Sequence, residues 1–158
     1  MSRKGVIKIR FVAPDPIYKN RLVTKLINRA MKDGKKSVAE KQIYKAFELI
    51  RQKGEEPMRV FADAIENIKP QMEVRARRVG GAAYQVPVAV KGSRKESLAI
   101  RWLILAARSR SNSEFHTFAE KLAAEIIDAA RNEGGAVKKK QEVEKIAEAN
   151  RAFAHFRW

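Results

Sequence analysis

A mainly α-helical domain carrying one inserted β-hairpin is the fold that the sequence predicts. Three observations predict it. Apolar residues recur at spacings of three and four along six stretches, as on amphipathic helices. One stretch only, about 72–90, alternates with a period of two. Gly, Pro and short polar runs separate the stretches. The expected architecture is about six helices in one domain, residues 19–158. A long protruding hairpin lies between the third and fourth helices, and residues 1–18 form a basic arm.

Each element has its own signature. The arm carries Arg3, Lys4, Lys8 and Arg10 without an acidic partner among its first ten residues, and Ala13-Pro14-Asp15-Pro16 cannot continue a helix. Such an arm is expected to stay irregular until it meets a polyanion. From Asn20 to Lys32, Leu22, Leu26, Ile27 and Ala30 mark a first helix, with Arg21, Lys25, Arg29 and Lys32 on one stripe. Gly34 ends it. The second opens at Ser37-x-x-Glu40, read as a capping box, and buries Ala39, Ile43, Ala46, Phe47 and Ile50. The third starts at Pro57, whose fixed φ suits a first helical turn, and buries Phe61, Ala64, Ile65 and Ile68 before Pro70 stops it.

In the hairpin, Met72, Val74 and Ala76 alternate with Glu73, Arg75 and Arg77. Gly80-Gly81 supplies a turn with positive φ, and Tyr84, Val86, Val88 and Val90 follow. Pro87 confines its strand to an edge or an unpaired position. Ser93-x-x-Glu96 reads as a second capping box, opening a helix to about Arg108 that is apolar on most sides and is placed centrally. A fifth helix from about Glu114 to Arg131 repeats Phe115, Phe118, Ala119, Leu122 and Ile126; its acids read as dipole partners or a solvated face. Gly134-Gly135 is read as its stop. A sixth, from about Ala136, carries a thin stripe of Val143, Ile146 and Ala147. The tail concentrates Phe153, Phe156 and Trp158, which suit stacking on bases or a groove on a protein neighbour.

Charge narrows the function. The 158 residues hold 34 Lys and Arg against 18 Asp and Glu, a net charge of +16, which selects polyanionic partners. Residues 1–95 hold 23 basic and 9 acidic side chains, a net +14, while residues 96–158 hold 11 and 9, a net +2. The excess is concentrated like a binding face. Absence of cysteine excludes disulfides, zinc fingers and thiol catalysis. The run Leu98–Ala107, interrupted by Arg101, is too short to span a bilayer, and the start lacks a signal-type apolar stretch, so a soluble intracellular protein is expected.

Catalytic chemistry finds no constellation. His116 and His155 are far apart in sequence, and His116 with Glu120 makes two ligands where zinc needs three or four. The paired glycines lack the context of a phosphate-binding loop. No enzyme activity, cofactor or metal is expected. Arg75, Arg77 and Arg78 on a two-stranded ribbon, with the first-helix stripe continued by Lys35 and Lys36, instead suit the backbone and shape of folded RNA. A DNA-compacting architectural protein is the alternative, since it shares the charge and the arm.

The segment Val74-Arg75-Ala76-Arg77-Arg78-Val79-Gly80-Gly81-Ala82-Ala83-Tyr84-Gln85-Val86-Pro87 closely resembles the hairpin signature of the small-subunit ribosomal protein seven family, of bacterial or organellar type. Asp15-Pro16-Ile17-Tyr18, Leu22-Val23-Thr24-Lys25-Leu26-Ile27-Asn28, Asp33-Gly34-Lys35-Lys36, Ile100-Arg101-Trp102-Leu103 and Ala147 through His155 resemble it in the same order. Ala83 departs from the polar residue expected beside Tyr84. The resemblance implies a protein that binds the 3′ major domain of 16S rRNA and initiates assembly of the subunit head. It also implies a hairpin near exit-site tRNA and mRNA, small-subunit protein number eleven as a neighbour, and repression of the protein's own operon mRNA. Its implied rRNA-binding residues are Arg3, Lys4, Arg10, Lys35, Lys36, Arg75, Arg77, Arg78, Arg94 and Lys95. The implied tip facing tRNA and mRNA is Gly80, Gly81, Ala82, Ala83 and Tyr84. The implied location is the 30S subunit, in the cytoplasm or an organelle's stroma or matrix, with no membrane and no small-molecule substrate.

Overall fold

A computed structural model describes residues 11–156; Arg3, Lys4 and Arg10 lie outside them. The elements are α1 (Arg21–Ala30), α2 (Lys36–Gln52), α3 (Pro57–Ile68), β1 (Met72–Val79), β2 (Ala82–Ala89), α4 (Gly92–Ser109), α5 (Phe118–Ala130), α6 (Gly134–Ala149) and a closing 3-10 turn (Arg151–Phe156). The mainly helical fold with its hairpin between α3 and α4 is as expected. The anticipated core faces of α2 and α3 are buried.

The main correction concerns the centre. Helix α5 packs on α2, α3, α4 and α6 and buries nine of its thirteen residues, including Lys121 and Glu125. It starts at Phe118, four residues later than periodicity suggested, because Thr117 and Glu120 form a complete capping box: the Glu120 backbone N–H donates to Thr117 Oγ1, and the Thr117 N–H donates to the Glu120 carboxylate. Neither expected capping box forms. Helix α2 already begins at Lys36, so Ser37 is inside it, and Glu40 pairs with Lys36. Helix α4 begins at Gly92, and Glu96 pairs with Lys25 of α1.

The acids of α5 are not a solvated face. Glu125 is 1 % exposed and, with Asp128, receives the Arg110 guanidinium from the α4–α5 loop. Glu125 also accepts the Ala136 backbone N–H at 2.9 Å, which ties α6 to α5. Gly134-Gly135 therefore opens α6 and does not merely end α5. Gly134 has φ +88°, and a Cβ there would sit 2.9 Å from Glu125 Oε1. Only glycine fits both the backbone and the space.

The end of the arm is pinned. Asp15 is buried, accepts the Ile17 and Tyr18 backbone N–H groups, and accepts the Tyr44 hydroxyl of α2 at 2.8 Å. Burial, then the bond to Asp15, pushes the Tyr44 phenol up to about 12. The hairpin runs in register from Met72 opposite Ala89 to Val79 opposite Ala82, around Gly80-Gly81 at φ +58° and +91°. Positive φ at both positions matches the twist of a two-residue hairpin turn. In a two-stranded sheet both strands are edges, so Pro87 is tolerated. Both strands pack on α6, and β2 also packs on the closing 3-10 turn.

Candidate nucleic-acid interface

The root of the hairpin is organised by Glu73, the one acid of the two strands. Glu73 is 7 % exposed, whereas Val74 is half-buried and Ala76 exposed. Arg75 donates to its carboxylate through Nε at 2.7 Å, and Arg94, from the first turn of α4, donates through Nε at 3.2 Å. Burial pushes the Glu73 carboxyl up, but the bonds from Arg75 and Arg94 outweigh it and hold it below its ordinary range. A buried carboxylate thus fixes two guanidinium groups that are each about half exposed. Each Arg carries five N–H donors, so most remain available for an outside acceptor.

Further out, Arg77 is half-buried opposite Tyr84, and Arg78 is exposed opposite Ala83 on the other face of the ribbon. Arg75 and Arg77 therefore share one face of the ribbon and Arg78 takes the other. The tip Gly80, Gly81, Ala82 and Ala83 is exposed. Tyr84 is engaged within the chain: its ring centroid lies 5.3 Å from that of Phe153 and 5.2 Å from that of Phe156. Of the aromatic tail, Phe153 and Phe156 fold back on the chain's own hairpin, and Trp158 lies outside the described residues.

A second basic area lies between α1 and α4. Lys25, Arg29, Asn28, Ser93 and Ser97 line a groove of about 390 Å³. Arg21 and Arg29 are exposed on the expected stripe, Lys25 is held by Glu96, and Lys32 lies beyond the end of α1. Nothing in the sequence marks Asn28, Ser93 or Ser97 as part of a shared groove, since they come from two helices distant in the chain. Lys95 is half-buried in α4, close enough to Glu66 to help lower its carboxyl, after the bond and the charge of Lys69.

Lys35 and Lys36 stand apart from the hairpin, at the start of α2. Lys35 is the cap residue, no side chain caps the helix, and Lys36 is engaged 3.5 Å from Glu40. The structure therefore joins Arg75 with Arg94 and pairs Arg77 with Tyr84. It brings neither lysine to them. Among the described residues no three His, Cys, Asp or Glu side chains are grouped to hold a metal, and no helix is long and apolar enough to cross a membrane.

The family model described as "Ribosomal protein S7p/S5e" matches residues 2–151. The chain belongs to this family. It is 58 % identical to the small ribosomal subunit protein uS7 of Carboxydothermus hydrogenoformans, over all of both chains. It is 56 % identical to the uS7 proteins of Caldicellulosiruptor bescii and Acetivibrio thermocellus, again over the full length of each.

Proposed function

We propose that this S7-family chain is a structural component of the small ribosomal subunit that binds the 3′ major domain of 16S rRNA and starts assembly of the head. The observation that carries the proposal is the Glu73 clamp. It holds Arg75 of the ribbon and Arg94 of α4 side by side, aiming charge from two elements at one place. Prepositioned guanidinium groups match phosphate oxygens in forked pairs at low entropic cost. Lys95 and the Lys25–Arg29 groove extend the basic surface, while Lys35 and Lys36 give a separate contact. Arg77 and Arg78 join the rRNA-contacting set, and the tip from Gly80 to Tyr84 is assigned to exit-site tRNA and mRNA. Small-subunit protein number eleven as neighbour, and repression of the operon mRNA, belong to the same reading.

Binding to a head-domain fragment of 16S rRNA tests it. About five phosphates neutralised by these residues alone, at a slope of roughly −0.7 to −0.9 each, predict an affinity loss of at least about two decades between 50 and 200 mM salt. The full chain should also stay with 30S particles through a high-salt wash. Release by the wash, with equal affinity for duplex DNA, would favour a DNA-compacting protein instead.

A further inference from the structure

We propose a second RNA-contact surface on the outer face of α2, where a short unpaired strand lies across Tyr18 and Tyr44 with its phosphates on Lys41, Lys45 and Arg51. The inference rests on the RNA-binding reading above but uses none of the residues assigned there. Helix α2 packs on α1, α3 and α5, and its outer face borders a groove of about 480 Å³ that these side chains line together with Glu48.

Three observations carry it. First, Lys41, Lys45 and Arg51 are exposed and make no ion pair among the described residues, unlike Lys25, Lys36, Arg75 and Arg94. Glu48 is the one exposed acid lining the groove; of the two other carboxylates near Tyr44, Asp15 is buried and already accepts two backbone N–H groups and a hydroxyl, and Glu40 is paired with Lys36. The groove therefore keeps a cationic excess that selects an anionic occupant.

Second, the two tyrosines are half-buried and fixed. The Tyr18 ring lies 5.8 Å from Tyr44 and meets Phe47 edge-on at 5.0 Å, and the Tyr44 hydroxyl is committed to Asp15. Their rings lose little freedom when a planar group stacks on them, which suits a nucleobase better than an acidic side chain. Third, Lys41 and Lys45 are one turn apart, and Lys41 to Arg51 spans ten helical residues, about 15 Å. Arg51 and Glu48 lie near enough to Tyr18 to act on it electrostatically. Cations thus flank rings along a line, as in surfaces that track a single strand.

The test is the salt slope of binding to the 16S head-domain fragment, for the full chain and two triple variants. K41A/K45A/R51A should keep the wild-type melting curve and lower the slope magnitude by about 2 to 3, nearly one for each phosphate contact removed. R75A/R77A/R78A should lower it independently. An unchanged slope in the α2 variant beside a reduced one in the hairpin variant would overturn this surface and leave the proposed function standing. Unchanged slopes in both would overturn both. Ultraviolet cross-linking of the unaltered protein provides a control independent of folding: a base–Tyr18 adduct is expected. Loss of binding to an acidic peptide by the α2 variant, with RNA binding intact, would assign the groove to protein and overturn the proposal.

Discussion

Glu73 shows how one side chain links stability to binding. A carboxylate buried at the foot of a ribbon is costly unless charged donors compensate it, and Arg75 and Arg94 do so from two elements. Because its folded-state pKa is lowered, the stabilisation is full above the ordinary carboxylate value of 4.5 and is lost as pH falls through the lowered value. Glu73→Gln should therefore flatten the acid limb of the stability curve below the ordinary carboxylate value of 4.5. At pH 7 it should cost about 1 kcal/mol, since both arginines are half-exposed and screened. Chemical denaturation at a series of pH values measures both. An acid limb identical to that of the unaltered protein would show that Glu73 contributes nothing to it. The residue also marks a limit of alternation as a signal. Period-two spacing separates Met72, Val74 and Ala76 from Glu73, Arg75 and Arg77, but it does not say which side chain finds partners at the root of the ribbon. Nothing local to Glu73 announced that Arg94, twenty-one residues away, would be one of them.

Among the elements, those set by local rules were legible. Helix α3 runs from its N-terminal proline to the residue before Lys69-Pro70 as predicted, and the hairpin turns at its two glycines. Caps were not legible, because a Ser-x-x-Glu pattern works only if the serine backbone is extended and the glutamate has no better partner. Lys36 and Lys25 claim Glu40 and Glu96, so both serines fall inside helices. The pattern that does cap, Thr117-x-x-Glu120, was hidden by Phe115, which mimicked one more helical turn. Thr117→Ala should accordingly cost about 1 kcal/mol, and Ser37→Ala and Ser93→Ala a few tenths at most. Thermal melts of the three variants give the ranking. Equal losses would mean that the cap geometry does not set helix stability here. The α5–α6 junction was also illegible. Its Gly134 yields to Glu125 and Asp128 and its Gly135 to Ala106 of α4, approaches that no periodicity encodes.

For the whole molecule, the open question is how far the ribbon and the helical body are independent. A lone two-stranded ribbon is marginal by itself, and its outer half has little to add to a helical core. The structure divides it more finely. Val86 is fully buried and Glu73 nearly so, which makes the root part of the body. Arg78 through Ala83 project almost without cover, and Tyr84 sits between, held by Phe153 and Phe156. Replacing Arg77 through Tyr84 with a short Asn-Gly turn removes those two ring contacts and leaves the six-helix core intact. Partly exposed aromatic pairs contribute about 0.5–1.5 kcal/mol. For a domain of this size, each kcal/mol corresponds to roughly 2–4 °C. The melting temperature should thus fall by only a few degrees, while amide exchange in Arg151–Phe156 rises sharply because the 3-10 turn buries no residue of its own. RNA affinity should fall in part, since Arg77 and Arg78 go while the Glu73 clamp and the α1–α4 groove stay. On the proposed function, the shortened protein still enters 30S subunits and the defect appears in exit-site tRNA retention. A melting drop above about 10 °C would show that the outer ribbon supports the body. Normal tRNA retention with an exposed tail would remove the tip from the proposed contact with tRNA.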